Sequence, residues 1–282
     1  ENLRFHDGET ENSIEFSSKL AKHGQIYIND AFGTAHRAHA SNTGVTRYFT
    51  HKGIGFLIEK ELQYLEKVIQ NPKSPLVLVL GGAKVASKLG LIQKFIEEAD
   101  TILIGGGMAF TFLKARGVPV GGSLVDDKMI ETAKRILRSA RNQKVELVFP
   151  DDVTIAQEIS ESALQSVSPI NKIPDDQMGL DIGPDTILKF AEIIKNAGTV
   201  IWNGPMGVFE TPGYEKGSLG VAQALAELHE NEGIAVVGGG DTAAAVEQFD
   251  LSNEMSHVST GGGASLELLS GNKLPAIAAL ES

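Results

Sequence analysis

The chain has no cysteine. That excludes disulfide staples, thiolate-held zinc and thiol catalysis, and it suits a reducing compartment, so the expected location is the cytoplasm. Long apolar runs are also missing. No stretch approaches the ~18 residues that a membrane helix needs, the mean hydropathy is −0.03, and a membrane partner is not expected. Positive charge is in short supply. Twenty-five Lys and Arg stand against 36 Asp and Glu, leaving a formal net charge of −11 and a pI near 5.1. Such a chain is poorly suited to non-specific binding of nucleic acid or anionic lipid. An anionic ligand would have to be held by local devices: a few cations, helix N-termini and a metal ion. The first residues, Glu1-Asn2-Leu3-Arg4-Phe5-His6, include neither Met nor a basic-then-apolar signal segment, so the chain reads as entered in mid-sequence.

What is present is a folding sequence of 282 residues, 42% hydrophobic and 22% charged. That is enough for two domains or one large α/β domain. Glycine is in excess, with 31 residues where a usual ~7% would give about 20. The glycines follow no collagen period, so they must serve particular turns.

Residues 1–51 differ from the rest. They hold five of the seven histidines and no adjacent glycine pair. Gln25 to Asp30 alternates like a short strand, followed by an Ala31-Phe32-Gly33-Thr34 loop. From Gly55 to Ile69, apolar Phe56, Leu57, Leu62, Leu65, Val68 and Ile69 interleave with charges, which predicts an amphipathic helix ended by Asn71-Pro72. Beyond Pro75 one pattern recurs: an apolar run, a glycine cluster, then a helical segment. The clusters are Gly81-Gly82, Gly105-Gly106-Gly107, Gly204 to Gly207, Gly238-Gly239-Gly240 and Gly261-Gly262-Gly263. Further strands are expected at Glu146 to Phe149 and near Met178 to Ile182. Runs that are apolar throughout predict strands covered on both faces. Their alternation with helices predicts a Rossmann-like parallel sheet with helices on both faces. Every strand-to-helix turn then lies on one edge, where ligands bind. The five clusters would line one groove, and phosphate is the anion that best fits glycine turns leading into helix N-termini.

The common nucleotide motifs do not account for this pattern. No window supplies a Walker A loop. Gly238-x-Gly240-x-x-Ala243 matches a dinucleotide fingerprint in form, but the region where its acidic ribose partner belongs reads Ser256-His257-Val258-Ser259. An NAD-linked oxidoreductase is therefore a minor alternative, beside a nucleotide-binding module without catalysis. Lys84 and Lys88, one helical turn apart after Gly81-Gly82, either face the groove mouth or lie on a solvated helix face. Asp241 is either a helix cap or a magnesium contact, and Glu210 either meets a ribose or sits on a loop. Arg4 and Arg37 neighbour histidines around a Gly-Thr loop and suit a phosphorylated carboxylate. His36 and His39 have no nearby carboxylate to complete a metal set.

The motifs ENLRFH (1–6), DAFGTAHRAH (30–39), GGAKV (81–85), GGGMAFTF (105–112), WNGPMGVFE (202–210), GGGDT (238–242) and STGGGASL (259–266) closely resemble phosphoglycerate kinase, in the family's order along nearly the whole chain. The resemblance implies a two-lobed, monomeric glycolytic enzyme that transfers phosphate between 1,3-bisphosphoglycerate and MgADP, giving 3-phosphoglycerate and MgATP. It implies a remnant of a triose-phosphate-binding α/β lobe over 1–54, an interdomain helix over 55–71, a nucleotide-binding domain over 72–270 and a tail over 271–282 returning toward the first lobe. Lys84 would stabilise the transferring phosphoryl group, and Lys88 would hold nucleotide phosphates. Gly106, Gly107, Gly179, Gly204 and Met206 would line the adenosine site, and Glu210 would meet the ribose. Gly238, Gly239, Asp241 and Thr242 would form the magnesium–phosphate end, with Asp241 as the metal contact. Gly240 and Gly263 would offer helix amides to the transition state, while Arg4 and Arg37 would hold the triose phosphate. Two departures stand out. Ser87 occupies a position where many members carry Asp. The family also has a further segment before Glu1, including an arginine that acts beside the position of Lys84, which implies that this chain alone binds nucleotide but turns over little.

Overall fold

The computed structural model describes residues 1–259 and 261–281, with Lys67 described in its backbone only. Thr260, within the last of the motifs above, lies outside the described residues. The chain divides into two compact units, one made of Glu1–Asn71 with Thr260–Ser282, the other of Pro72–Ser259. No helix among the described residues is long and apolar enough to cross a membrane.

The smaller unit begins with α1 (Asp7–Thr10) and α2 (Ile14–Ala21), then β1 (Tyr27–Asn29), β2 (Lys52–Ile54) and α3 (Phe56–Gln70). Ser13 caps α2 through its side chain, accepting from the Phe16 N–H. β1 and β2 pair in parallel, Ile28 opposite Gly53. The predicted helix at 55–69 is thus found one residue later. Its first turn is capped from outside, because the Asp30 carboxylate accepts from the Ile58 N–H at 3.0 Å, satisfying one of the free amides of a helix start.

The larger unit carries β3 (Leu76–Leu80), α4 (Leu89–Phe95), β4 (Thr101–Ile104), α5 (Gly106–Ala115), α6 (Ile130–Gln143), β5 (Glu146–Val148), β6 (Asp152–Ala156), β7 (Ser166–Pro169), β8 (Met178–Ile182), α7 (Pro184–Lys195), β9 (Thr199–Asn203), α8 (Lys216–Glu230), β10 (Ile234–Gly238), α9 (Gly240–Gln248) and β11 (His257–Ser259). Six strands form one sheet in the order β11-β10-β9-β3-β4-β5, parallel at every pairing. All five residues of β3 and of β9 are buried, as expected of strands covered on both faces. Val77, Val79, Leu103 and Trp202 share one core with Phe190 and Ile194 of α7 and Leu225 and Leu228 of α8. Leu76, Leu78 and Leu80, which the pleat turns the other way, are buried as well.

One strand departs from the simple alternation. The strand at Met178–Ile182 forms where expected, but it joins β6 and β7 in a separate antiparallel sheet in the order β7-β6-β8. β6 begins just after β5 ends, so short a link cannot make the crossover that a parallel neighbour requires, and β8 pairs with β6 outside the large sheet.

The last two helices, α10 (Gly263–Leu269) and α11 (Pro275–Glu281), belong to the smaller unit. α10 packs on α3 and on the Phe32–Thr34 turn, and the Ala276 N–H donates to the Ala35 carbonyl at 3.1 Å. The break after the large sheet therefore falls at Ser259, and Gly263 is grouped with Arg4 and Arg37.

Candidate functional site

In the large sheet the strand order reverses between β3 and β9, since β4 and β5 extend to one side and β10 and β11 to the other. Such a reversal leaves a crevice beyond the C-terminal strand ends. The turns leaving these strands are bonded to one another there. The Gly81 N–H donates to the Asn203 carbonyl (3.0 Å), Gly82 to Pro205 (2.7 Å), Gly106 to Met206 (3.2 Å) and Met108 to Gly82 (2.7 Å). Glycine is obligatory at this crossing. Gly204 has φ +100° and Gly106 φ +58°, and a Cβ on either would collide with the backbone of the opposite turn.

A cavity of about 510 Å³ opens over these turns, within the larger unit. Of the residues expected to bind nucleotide, Gly106, Gly107, Gly179, Met206, Glu210 and Asp241 line it. Phe110, Leu124, Val153, Ile159, Leu180 and Val208 give it an apolar wall, the usual lining of a small-molecule site. α9 starts at its rim, with Gly239 in the cap position and no side-chain cap on the free amides, an arrangement suited to an anion.

Lys88 lies beneath the turns. It is buried, with 8% of its surface exposed, and its ammonium donates to the Asn203 carboxamide oxygen. The Asn203 amide in turn donates to the Gly238 carbonyl at 2.7 Å. Thr242 Oγ1 accepts from the Gly204 N–H, also at 2.7 Å, so Gly204, Gly238 and Thr242 form the scaffold of the site. Burial pushes the Lys88 amine down to about 8, opposed by the negative charge of Asp241. A buried cation facing one neutral oxygen and a carboxylate is incompletely compensated, and an incoming phosphate would complete it. Lys84 is exposed on the turn above, where its carbonyl accepts from Ser87 Oγ at 2.9 Å. Gly240 is exposed in the first turn of α9.

Two residues of this site did not stand out in the sequence. Asn203 was visible only as the residue before Gly204. Asp181 is a lone acid in an apolar strand, a pattern that marks a buried group needing partners. Its Oδ1 accepts from the Ile182 N–H at 2.9 Å and its Oδ2 from the Gly217 N–H at 2.7 Å.

Arg4, Arg37 and Gly263 lie in the smaller unit. Arg4 and Arg37 are exposed, and Arg37 Nε donates to His36 Nε2 at 3.3 Å. Burial, then the Arg37 charge, holds the His36 imidazole below its ordinary range, consistent with Nε2 acting as acceptor. The His36 ring packs where a Cβ on Gly263 would stand. Buried Glu9 ties the two arginine segments together, its carboxylate accepting from Ser41 N–H (3.0 Å) and Ser41 Oγ (2.6 Å). Among the described residues no group of three His, Cys, Asp or Glu side chains forms a metal site, although the Glu9 carboxylate lies 3.7 Å from His39 Nδ1.

A doubly wound α/β protein with an anion-suited cavity at the switch point of its sheet is the class these features define. Comparison with known proteins gives the family. The family model described as phosphoglycerate kinase matches residues 1–272. A phosphoglycerate kinase of Thermosynechococcus vestitus is 52% identical over 281 residues, covering 100% of this chain and 70% of the relative. A chloroplastic one of Volvox carteri is 50% identical over 281 residues, covering 100% and 61%. The solved structure of phosphoglycerate kinase from Coxiella burnetii superposes with a TM-score of 0.89 at 41% identity, covering 99% of this chain and 71% of that one. The chain belongs to the phosphoglycerate kinase family. That membership favours neither a binding-only module nor an NAD-linked oxidoreductase.

Proposed function

We propose that the chain carries the nucleotide site of a phosphoglycerate kinase, the enzyme that moves a phosphoryl group reversibly between 1,3-bisphosphoglycerate and MgADP to give 3-phosphoglycerate and MgATP. The observation that carries this reading is the convergence of four strand exits, those of β3, β4, β9 and β10, on one cavity, with a buried, incompletely compensated lysine held against Asn203 at the β9 exit. In this reading the apolar wall takes the base, Gly106, Gly107, Gly179 and Met206 approach the adenosine, and Glu210 accepts from the ribose. The phosphates lie over Lys88, Thr242 and the free amides of α9, presented by Gly238, Gly239 and Gly240.

Phosphoryl transfer needs little covalent assistance; it needs charge stabilisation and in-line placement. Lys84, exposed at the turn after β3, is the cation that would follow the transferring group, and Gly240 and Gly263 would offer amides to its oxygens. Arg4 and Arg37 would hold the phosphate and carboxylate of the triose substrate. The donor set suits magnesium, because a single carboxylate, Asp241, stands at the phosphate end, and Mg²⁺ is commonly held by one or two carboxylates together with substrate phosphates. The ion would neutralise phosphate charge when bound.

Calorimetric titration of the purified chain with MgADP tests the nucleotide site directly. Saturable heat with micromolar-to-millimolar affinity is expected, and its absence, with no thermal shift, contradicts the reading. The chain spans 70% of the relative from Thermosynechococcus vestitus, and we infer that turnover needs residues outside the aligned part. Full activity from the 282-residue chain would overturn that inference.

A further inference from the structure

We propose that Asp181 is a positioning residue for the base-binding wall of the cavity: its buried carboxylate clamps the 205–208 turn and the first turn of α8 against β8, and so sets the width of the slot in which a nucleotide base lies. The proposal rests on the nucleotide reading above.

Three elements meet at this carboxylate. β8 supplies it and lines the cavity on either side of it with Leu180 and Ile182. α8 brings the Gly217 N–H to its Oδ2. The turn after β9 brings Gly207, and a Cβ on Gly207 or on Gly217 would overlap the Asp181 carboxylate. The two glycines thus leave a space that the carboxylate fills. Two further bonds join the same three elements, Met206 N–H to Ser218 Oγ (2.9 Å) and Val208 N–H to the Leu180 carbonyl (2.9 Å). Pro205, Met206, Gly207 and Val208, the turn held in this way, themselves line the cavity.

The chemistry favours a carboxylate specifically. Both oxygens accept from backbone N–H groups, and Asp181 is only 4% exposed. Burial pushes its carboxyl up to about 8 against the pull of the Gly217 and Ile182 amides, with Glu215 adding to the rise and Lys216 opposing it, so the two-acceptor carboxylate is the main form above about pH 8 and the comparison with asparagine is made there. An asparagine would present one acceptor and one donor, so one of the two N–H groups would face an N–H and lose its bond. The clamp would then loosen on one side, and the turn carrying Met206 and Val208 would shift. Displacement of a positioning group by even a fraction of an ångström degrades a binding site.

The test separates a local effect on the base wall from a general loss of structure by using two probes. Wild type, Asp181→Asn and Ser218→Ala are titrated calorimetrically with MgADP and with magnesium pyrophosphate, after far-ultraviolet circular dichroism has checked folding. The account predicts that Asp181→Asn weakens MgADP about tenfold or more, the scale of one lost buried hydrogen bond, and leaves pyrophosphate affinity unchanged. Ser218→Ala, which cuts the parallel tie through Met206, should show the same selective loss to a smaller degree, and it carries the test alone if Asp181→Asn does not fold. Equal weakening of both probes would make Asp181 a merely structural residue and overturn the proposal, as would unchanged MgADP binding. Wild type that binds pyrophosphate but not MgADP would instead refute the nucleotide reading, and the proposal with it.

Discussion

The two units hold their chains in different ways. In the larger one, the central strands β3 and β9 are buried along their whole length, and order comes from apolar burial on both sheet faces. In the smaller one, β1 buries one residue, Asn29, while Ile28 on the same strand is 57% exposed. Beside buried Phe32, Ile58 and Leu65, its loops are held by polar ties: Glu9 on Ser41, Asn42 Nδ2 on the Thr34 carbonyl at 2.8 Å, and Asp30 on the start of α3. The contrast shows how each unit presents its candidate groups. The large sheet sets backbone amides by stacking strands in register. The smaller unit sets side chains, Arg4 and Arg37, by pinning the loops that carry them.

The largest expected effect breaks this comparison directly. Leu78→Ala removes a fully buried side chain from β3 and should cost about 2–5 kcal/mol. Ile28→Ala on β1 should stay within about 0.5 kcal/mol. Urea unfolding of the two variants measures both, and equal losses would mean that the strands are not differently supported. Next in size is the buried charge held against Asn203 at the β9 exit. Lys88→Met should weaken magnesium pyrophosphate by about tenfold or more, the scale of a hydrogen bond to a charged group. The ammonium is the form that attracts phosphate and is present below its folded-state value of about 8, so wild-type affinity should fall as pH rises through about 8. Lys88→Arg, charged throughout, should flatten that fall. A wild-type profile level from pH 7 to 9.5 would remove Lys88 from the phosphate site. The smallest effect belongs to the smaller unit. Glu9→Gln keeps one acceptor and loses the other, so it should cost about 1 kcal/mol and speed amide exchange over residues 39–42 without touching MgADP affinity. Altered nucleotide binding in that variant would show that the two units are not independent in this respect.

The parts of this fold that sequence reveals are those written in local pattern. Leu76 to Leu80 is apolar throughout and is followed by Gly81-Gly82, so both the strand and its turn could be placed to the residue. The helix at α3 followed from its periodic apolar positions, and β5 ends one residue before the expected Phe149. Other parts depend on tertiary proximity. That β8 pairs with β6 outside the large sheet is a tertiary arrangement that its own composition does not carry. The glycine run at 261–263 looks like the other four, yet α10 buries Leu269 and packs on α3, which groups it with the smaller unit. Asn203 and Asp181 bond across 115 and 36 residues of chain respectively, and no window of sequence carries that information. Lys88, Asp241 and the glycines could be named because they follow strand exits, where the fold itself gathers ligand groups.

The central claim is that separate strand exits converge on one nucleotide cavity, with the uncapped amides of α9 at its phosphate end. Backbone amide spectra of the isotopically labelled chain, titrated with MgADP, test it most directly. The account predicts that the amides of Gly82, Gly106, Gly204, Gly239 and Asp241 shift together with a single dissociation constant. Shifts confined to one of these turns, or scattered over residues away from the cavity, would contradict it.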